Sequence, residues 1–198
     1  METYHRARYQ ELGVQEEFCQ DNLSSSCRDT LRGLHYQYPH AQAKLVQVLQ
    51  GEIVDVAVDI RRGSPTFGQS VAVALSERNR LQLFIPRGFA HGFCVLSQTV
   101  LFSYKCSDFY APDCDRGILW SDPDLAIDWP IRNPLLSGKV AAGPAKSDAG
   151  FSFYNPFVEA APDSFNSTSP VLSTQKPPSL FSPVNYNVDK VNYSPPGN

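Results

Sequence analysis

Apolar residues in this chain recur at every second position, over short stretches. In Ile53-Val54-Asp55-Val56-Ala57-Val58-Asp59-Ile60, the residues Val54, Val56, Val58 and Ile60 fall on one face and Asp55, Ala57 and Asp59 on the other. That period of two is the signature of a β-strand. Lys44 to Leu49 is apolar and β-branched and is followed by Gly51, while Ser70–Leu75, Leu81–Ile85 and Val100–Cys106 read as further short strands. Thr30 to Gln37 has the same β-prone character. Turn signals such as Arg61-Arg62-Gly63-Ser64-Pro65 separate the strands. No long helical period lies between them, so a parallel α/β sheet is not expected, and an all-β double-sheet sandwich or barrel is. The one helix predicted is short, over Tyr9–Phe18, with Gly13 and Val14 interrupting its pattern.

Two composition shifts mark the organisation. From Asp108 to Pro134, prolines and aromatics alternate with acids, as in Trp120-Ser121-Asp122-Pro123 and Asp128-Trp129-Pro130. Such segments form ordered loops and are expected to cover a barrel mouth. Beyond about residue 143, nine of the sixteen prolines gather amid Ser, Asn and Thr. Residues 1–142 are therefore expected to form one domain and 143–198 a largely disordered extension. The net charge of -3 argues against a nucleic-acid partner. No apolar run is long enough to span a membrane, and the opening Met1-Glu2-Thr3-Tyr4-His5 has no apolar signal core. Cys19, Cys27, Cys94, Cys106 and Cys114 are odd in number and lack CxxC spacing, which predicts reduced thiols in a cytoplasmic protein.

Four pieces carry candidate chemistry: Arg32-Gly33-Leu34-His35, Lys44 at the start of its strand, Ile85-Pro86-Arg87-Gly88-Phe89-Ala90-His91-Gly92-Phe93, and Tyr104-Lys105 with Tyr110. Arg32 offers a planar fork to an anion. His35 titrates where proton transfer at neutral pH needs it. Taken singly, each has a structural explanation: Tyr104 shares parity with Phe102 and fits a core, and Lys44 fits a solvated strand end. Pro86-x-Gly88-x-x-His91 is a turn that delivers a histidine into a barrel, and it resembles the second motif of the cupin fold. A metal-binding cupin would use His35 and His91 together with a second His, but Gln37 stands at that second position, so no metal is expected.

The ordered run Gln20-Asp21-Asn22, Arg32 to Gln37, Lys44-Leu45-Val46, Asp55 to Arg61, Ser64 to Gly68, Ile85 to Phe93, Tyr104-Lys105 and Asp128-Trp129-Pro130 resembles the dTDP-4-dehydrorhamnose 3,5-epimerases. The resemblance implies a cupin-like jelly-roll barrel, a reaction that requires no redox cofactor or metal, and a homodimer. It implies a dTDP-4-keto-6-deoxy-hexose substrate, with proton abstraction next to the C4 ketone in dTDP-L-rhamnose synthesis. It assigns His35 as base, Tyr104 as acid on the opposite side and Lys44 to the developing oxyanion. Gln20, Asn22, Arg32, His91, Tyr110, Asp115 and Lys139 become substrate-binding positions, with Asp115 where the family usually has Glu.

Two features depart from the family pattern. In Leu136-Ser137-Gly138-Lys139-Val140, Val140 stands where the family carries the Asp that orients the catalytic His. Valine accepts no hydrogen bond, so a catalytically impaired sugar-nucleotide-binding protein is the alternative reading, unless Asp55 or Asp59 points inward and substitutes. The chain opens at about the family's Glu-x-Tyr (Glu2 and Tyr4), without a counterpart for the earlier strand and its cross-subunit Arg.

Overall fold

The structure, a computed structural model, describes residues 2–136. The expected extension at 143–198, Lys139 and Val140 lie outside the described residues. Ten strands and two short helical segments follow in chain order: α1 Arg6–Glu11, β1 Gln20–Cys27, β2 Thr30–Gln37, β3 Lys44–Gln50, β4 Glu52–Asp59, β5 Ser70–Ser76, β6 Gln82–Ile85, β7 Phe89–Val95, β8 Thr99–Cys106, a 3-10 turn Pro112–Cys114, β9 Asp115–Gly117 and β10 Leu135–Leu136. One sheet runs β1-β8-β3-β6, and the other β10-β2-β7-β4-β5 with β9 added on β2. All these pairings are antiparallel except β10 on β2. This is the all-β, double-sheet jelly roll expected.

The core lies between the sheets. Val46 and Val48 of β3, Leu83 and Ile85 of β6, and Val100 and Phe102 of β8 meet Ile53, Ala57, Leu75, Phe93 and Val95 of the facing sheet. The valine face of β4 points the other way. Val56, Val58 and Ile60 pack with Leu31, Leu34, Ala90 and Cys94 against Ile118, Leu125 and Trp129. Only the first part of the 108–134 segment, including Tyr110 and Asp115, borders the barrel mouth. The rest clads the outer face of the sheet, because that face is apolar and needs covering.

Two expectations are corrected. The helix starts one turn earlier than predicted and ends at Glu11 rather than Phe18: His5 accepts from the Arg8 backbone N–H at its start, and Gly13 takes a left-handed φ of +94° just past its end. β1 was not anticipated, since Gln-Asp-Asn-Leu-Ser-Ser-Ser-Cys has little β propensity. It forms because all eight of its residues find partners on β8, from Gln20↔Cys106 to Cys27↔Thr99. Its partner, rather than its own composition, makes it a strand.

Candidate active site

A cavity of about 820 Å³ opens at one end of the barrel, a size suited to a small-molecule ligand. β1 contributes Gln20, Asn22 and Ser24; β2 contributes Arg32 and His35; β3 contributes Lys44; β7 contributes His91; β8 contributes Tyr104 and Cys106; Tyr110 and Asp115 come from the following loop. Every described residue proposed from the sequence for this site lines it. Lys139 is outside the described residues.

Gly33 explains how one strand delivers both Arg32 and His35. In regular pleating, residues three apart face opposite ways. Here the β2–β7 register runs Arg32↔Phe93 and then His35↔His91, with a shift between them. At that point the two strands touch: a Cβ on Gly33 would lie 2.4 Å from Gly92 Cα and 2.6 Å from the His91 carbonyl oxygen. Only glycine permits this approach, and its φ of +114° is one that other residues rarely take. The irregularity turns Arg32 and His35 into the same cavity.

The electrostatics are set by partial dehydration. Burial lowers the Lys44 pKa, while Cys106, Asp55 and Asp115 act to raise it again. Burial raises the Tyr104 phenol, assisted by Cys106 and Tyr110 and opposed by Arg32. Tyr104 therefore stays protonated, and able to donate a proton, across the neutral range. The Arg32 Nη2 donates to the Ser25 carbonyl at 3.2 Å, whereas its buried Nε has no hydrogen-bond partner. Arg32 lines the cavity, and a guanidinium there is suited to an anionic ligand.

Glutamines fasten the loop at the mouth. The Gln20 side-chain oxygen accepts from the Tyr110 N–H at 2.8 Å, and its amide donates to Asn22 at 3.0 Å. Gln37 donates to the His40 and Phe109 carbonyls and accepts from the Ala111 N–H. Gln37, at the position of a metal-binding cupin's second histidine, is thus committed to the loop. Tyr110 Oη donates to Asp115 at 3.2 Å.

Asp55 is a residue the sequence reading left undecided. Its carboxylate points inward but meets His91 rather than His35: both oxygens lie within hydrogen-bonding reach of His91 Nε2, at 3.0 and 2.9 Å. Asp59 is occupied elsewhere, accepting from the Arg61 N–H and guanidinium and from the Ser64 and Thr66 hydroxyls. Ser24, Gln42 and Cys106 were missed as lining residues. Parity with Asn22 and Tyr104 would have found Ser24 and Cys106; Gln42 lies before its strand, where no periodicity marks it.

A jelly-roll barrel with a histidine, lysine, tyrosine and arginine around one cavity defines a cupin-type enzyme. A profile of the dTDP-4-dehydrorhamnose 3,5-epimerases matches residues 1–148. A dTDP-4-dehydrorhamnose 3,5-epimerase of Shigella flexneri is 53% identical over 153 residues, covering 76% of this chain and 84% of that protein. The Legionella pneumophila dTDP-6-deoxy-D-glucose-3,5-epimerase, solved with dTDP-4-keto-L-rhamnose, is 55% identical with a TM-score of 0.70, covering 72% of this chain and 77% of its own. The Bacillus anthracis dTDP-4-dehydrorhamnose 3,5-epimerase, solved with TDP and PPi bound, is 48% identical with a TM-score of 0.71, covering 72% and 83%. This chain belongs to the dTDP-4-dehydrorhamnose 3,5-epimerase family.

Proposed function

We propose that this protein is a sugar-nucleotide epimerase that inverts C3 and C5 of dTDP-4-dehydro-6-deoxy-D-glucose, working as a homodimer in the cytoplasm. The observation that carries the reading is the placement of His35 and Tyr104 on strands of opposite sheets, lining one cavity. Epimerisation removes a proton from one face of a carbon and returns one to the other, so it needs a base and an acid on opposing walls. In this mechanism His35 takes the proton from the carbon next to the C4 ketone. The C–H electron pair moves into the ring to give an enolate, and its negative oxygen meets the Lys44 ammonium. Tyr104 delivers a proton to the opposite face, and the ketone re-forms. Arg32, a guanidinium on the cavity wall, suits the diphosphate, while Gln20, Asn22, His91, Tyr110 and Asp115 wall the sugar nucleotide.

The test is solvent deuterium wash-in. The protein is incubated in heavy water with dTDP-4-keto-6-deoxyglucose, and the C3 and C5 protons are followed by NMR. Exchange at both carbons with inverted ring couplings is expected. Saturable dTDP binding with no exchange above the enzyme-free control would overturn the enzymatic reading and leave a binding protein. Size-exclusion chromatography with light scattering tests the homodimer.

A further inference from the structure

Asp55 has no part in the mechanism above, yet it is a carboxylate fully withdrawn from water directly behind the cavity wall. Its side chain is 0% exposed and that of its partner His91 is 8% exposed. Burying an ionised carboxylate costs several kcal/mol unless partners offset it, so its position on β4 calls for an explanation. We propose that Asp55 is a positioning residue, which fixes the ring of His91 where it lines the cavity. The inference rests on the epimerase reading and deepens it, adding a group that acts through another.

Three elements converge on this carboxylate. β4 presents Asp55 on the barrel-facing side, level with Ile53 and Ala57 of the core. β7 brings His91 over it, with both carboxylate oxygens at Nε2. An ionised carboxylate can only accept, so Nε2 carries the ring proton. The ring is further restrained by Phe102, whose centroid lies 6.3 Å away at an interplanar angle of 28°. His91 lines the cavity from this fixed orientation. From β3, Lys44 feels Asp55 as one of three groups that support its charged form, with Cys106 on β8 and Asp115 on β9. Cys94, on β7, also feels Asp55.

The comparison with Asp59 sharpens the argument. It lies four residues along the same strand and is also buried, but it is saturated by Arg61, Ser64 and Thr66 in its own turn. Those contacts hold a loop. Asp55 has one ring partner, and that partner belongs to the cavity.

The effect on the ring follows. In Asp55→Ala the Nε2–H of His91 loses its acceptor. There kcat should fall about tenfold or more, and the 15N signals of the His91 ring should move away from the Nε2-protonated pattern of the wild type. A folded Asp55→Ala protein with the wild-type rate overturns the proposal, and so does one that is slower with an unmoved His91 ring, because a merely structural residue would behave that way. A second measurement needs no variant: 15N NMR of the wild-type histidines should show His91 protonated on Nε2, and a ring protonated on Nδ1 alone overturns the assignment. If the wild-type protein exchanges no substrate proton, the epimerase reading fails; the His91 tautomer in the wild type and its change in Asp55→Ala still decide the role of Asp55.

Discussion

The barrel interior has two ends, built by the same strands but of opposite character. Along β4 the inward side chains begin with Ile53 and pass to Asp55; along β8, Val100 and Phe102 give way to Tyr104 and Cys106; along β3, Val48 and Val46 give way to Lys44. The pairings keep the change level across strands: Ile53↔Val95 and Val48↔Phe102 lie at the closed end, Ala57↔His91 and Lys44↔Cys106 at the open end. Phe102 stands at the boundary, packing on Phe93 at 4.6 Å and Tyr104 at 5.5 Å between centroids while lining the cavity. The closed end supplies stability through apolar burial. The open end gives up some of that stability to hold polar groups partly out of water, where their charges act more strongly. One set of strands therefore serves as both foundation and pocket.

Chemistry and stability should separate along this axis, and the largest effect is expected at the open end. His35→Asn should lower the rate of substrate deuterium exchange by on the order of a thousandfold. Its melting temperature should stay near that of the wild type, and dTDP should still bind, as measured by calorimetry. A loss smaller than about tenfold would mean that the histidine is a wall rather than the base, and the division between the two ends would lose its meaning.

At the closed end the expectation reverses. Leu75 is completely buried among the residues of the core. Leu75→Ala should cost about 2–5 kcal/mol in urea denaturation, with kcat per folded molecule within about twofold of wild type. A large fall in kcat at a temperature where the variant is fully folded would show that packing at the closed end is transmitted to the pocket.

How far this division was legible in the sequence depends on the strand. Period-two patterning in Ile53–Ile60 gave β4 and its two faces, but could not say which face looked into the barrel. The valine face lies under Ile118, Leu125 and Trp129, and the face with Asp55 and Ala57 looks into the barrel. Which face is inside depends on what the downstream segment covers, and that is a long-range matter. Arg32 and His35 were legible as chemistry but not as neighbours, because an ordinary strand would separate them. Only the contact of Gly33 with Gly92 brings them together. Parity left open whether Asp55 points inward, and its choice of His91 depends on the β4–β7 pairing, which no local pattern encodes.

The smallest effect is expected on the outside of the same strands. Lys105 neighbours Tyr104 in β8 but pairs with Asp21 of β1, its Nζ 2.8 Å from a carboxylate that is 71% exposed. The distance is short, but water screens the charges, and holding two flexible side chains together costs entropy. Asp21→Ala should therefore change stability by less than about 1 kcal/mol and leave the exchange rate within about twofold. Lys105 also lies over the Tyr4 ring at 5.0 Å, a contact that survives the substitution and retains the ammonium near its place. A fall in rate as large as that of an inward-facing variant would mean that β1 transmits its outer pairing to Gln20 and Asn22. The alternation of faces would then no longer insulate the pocket from the surface.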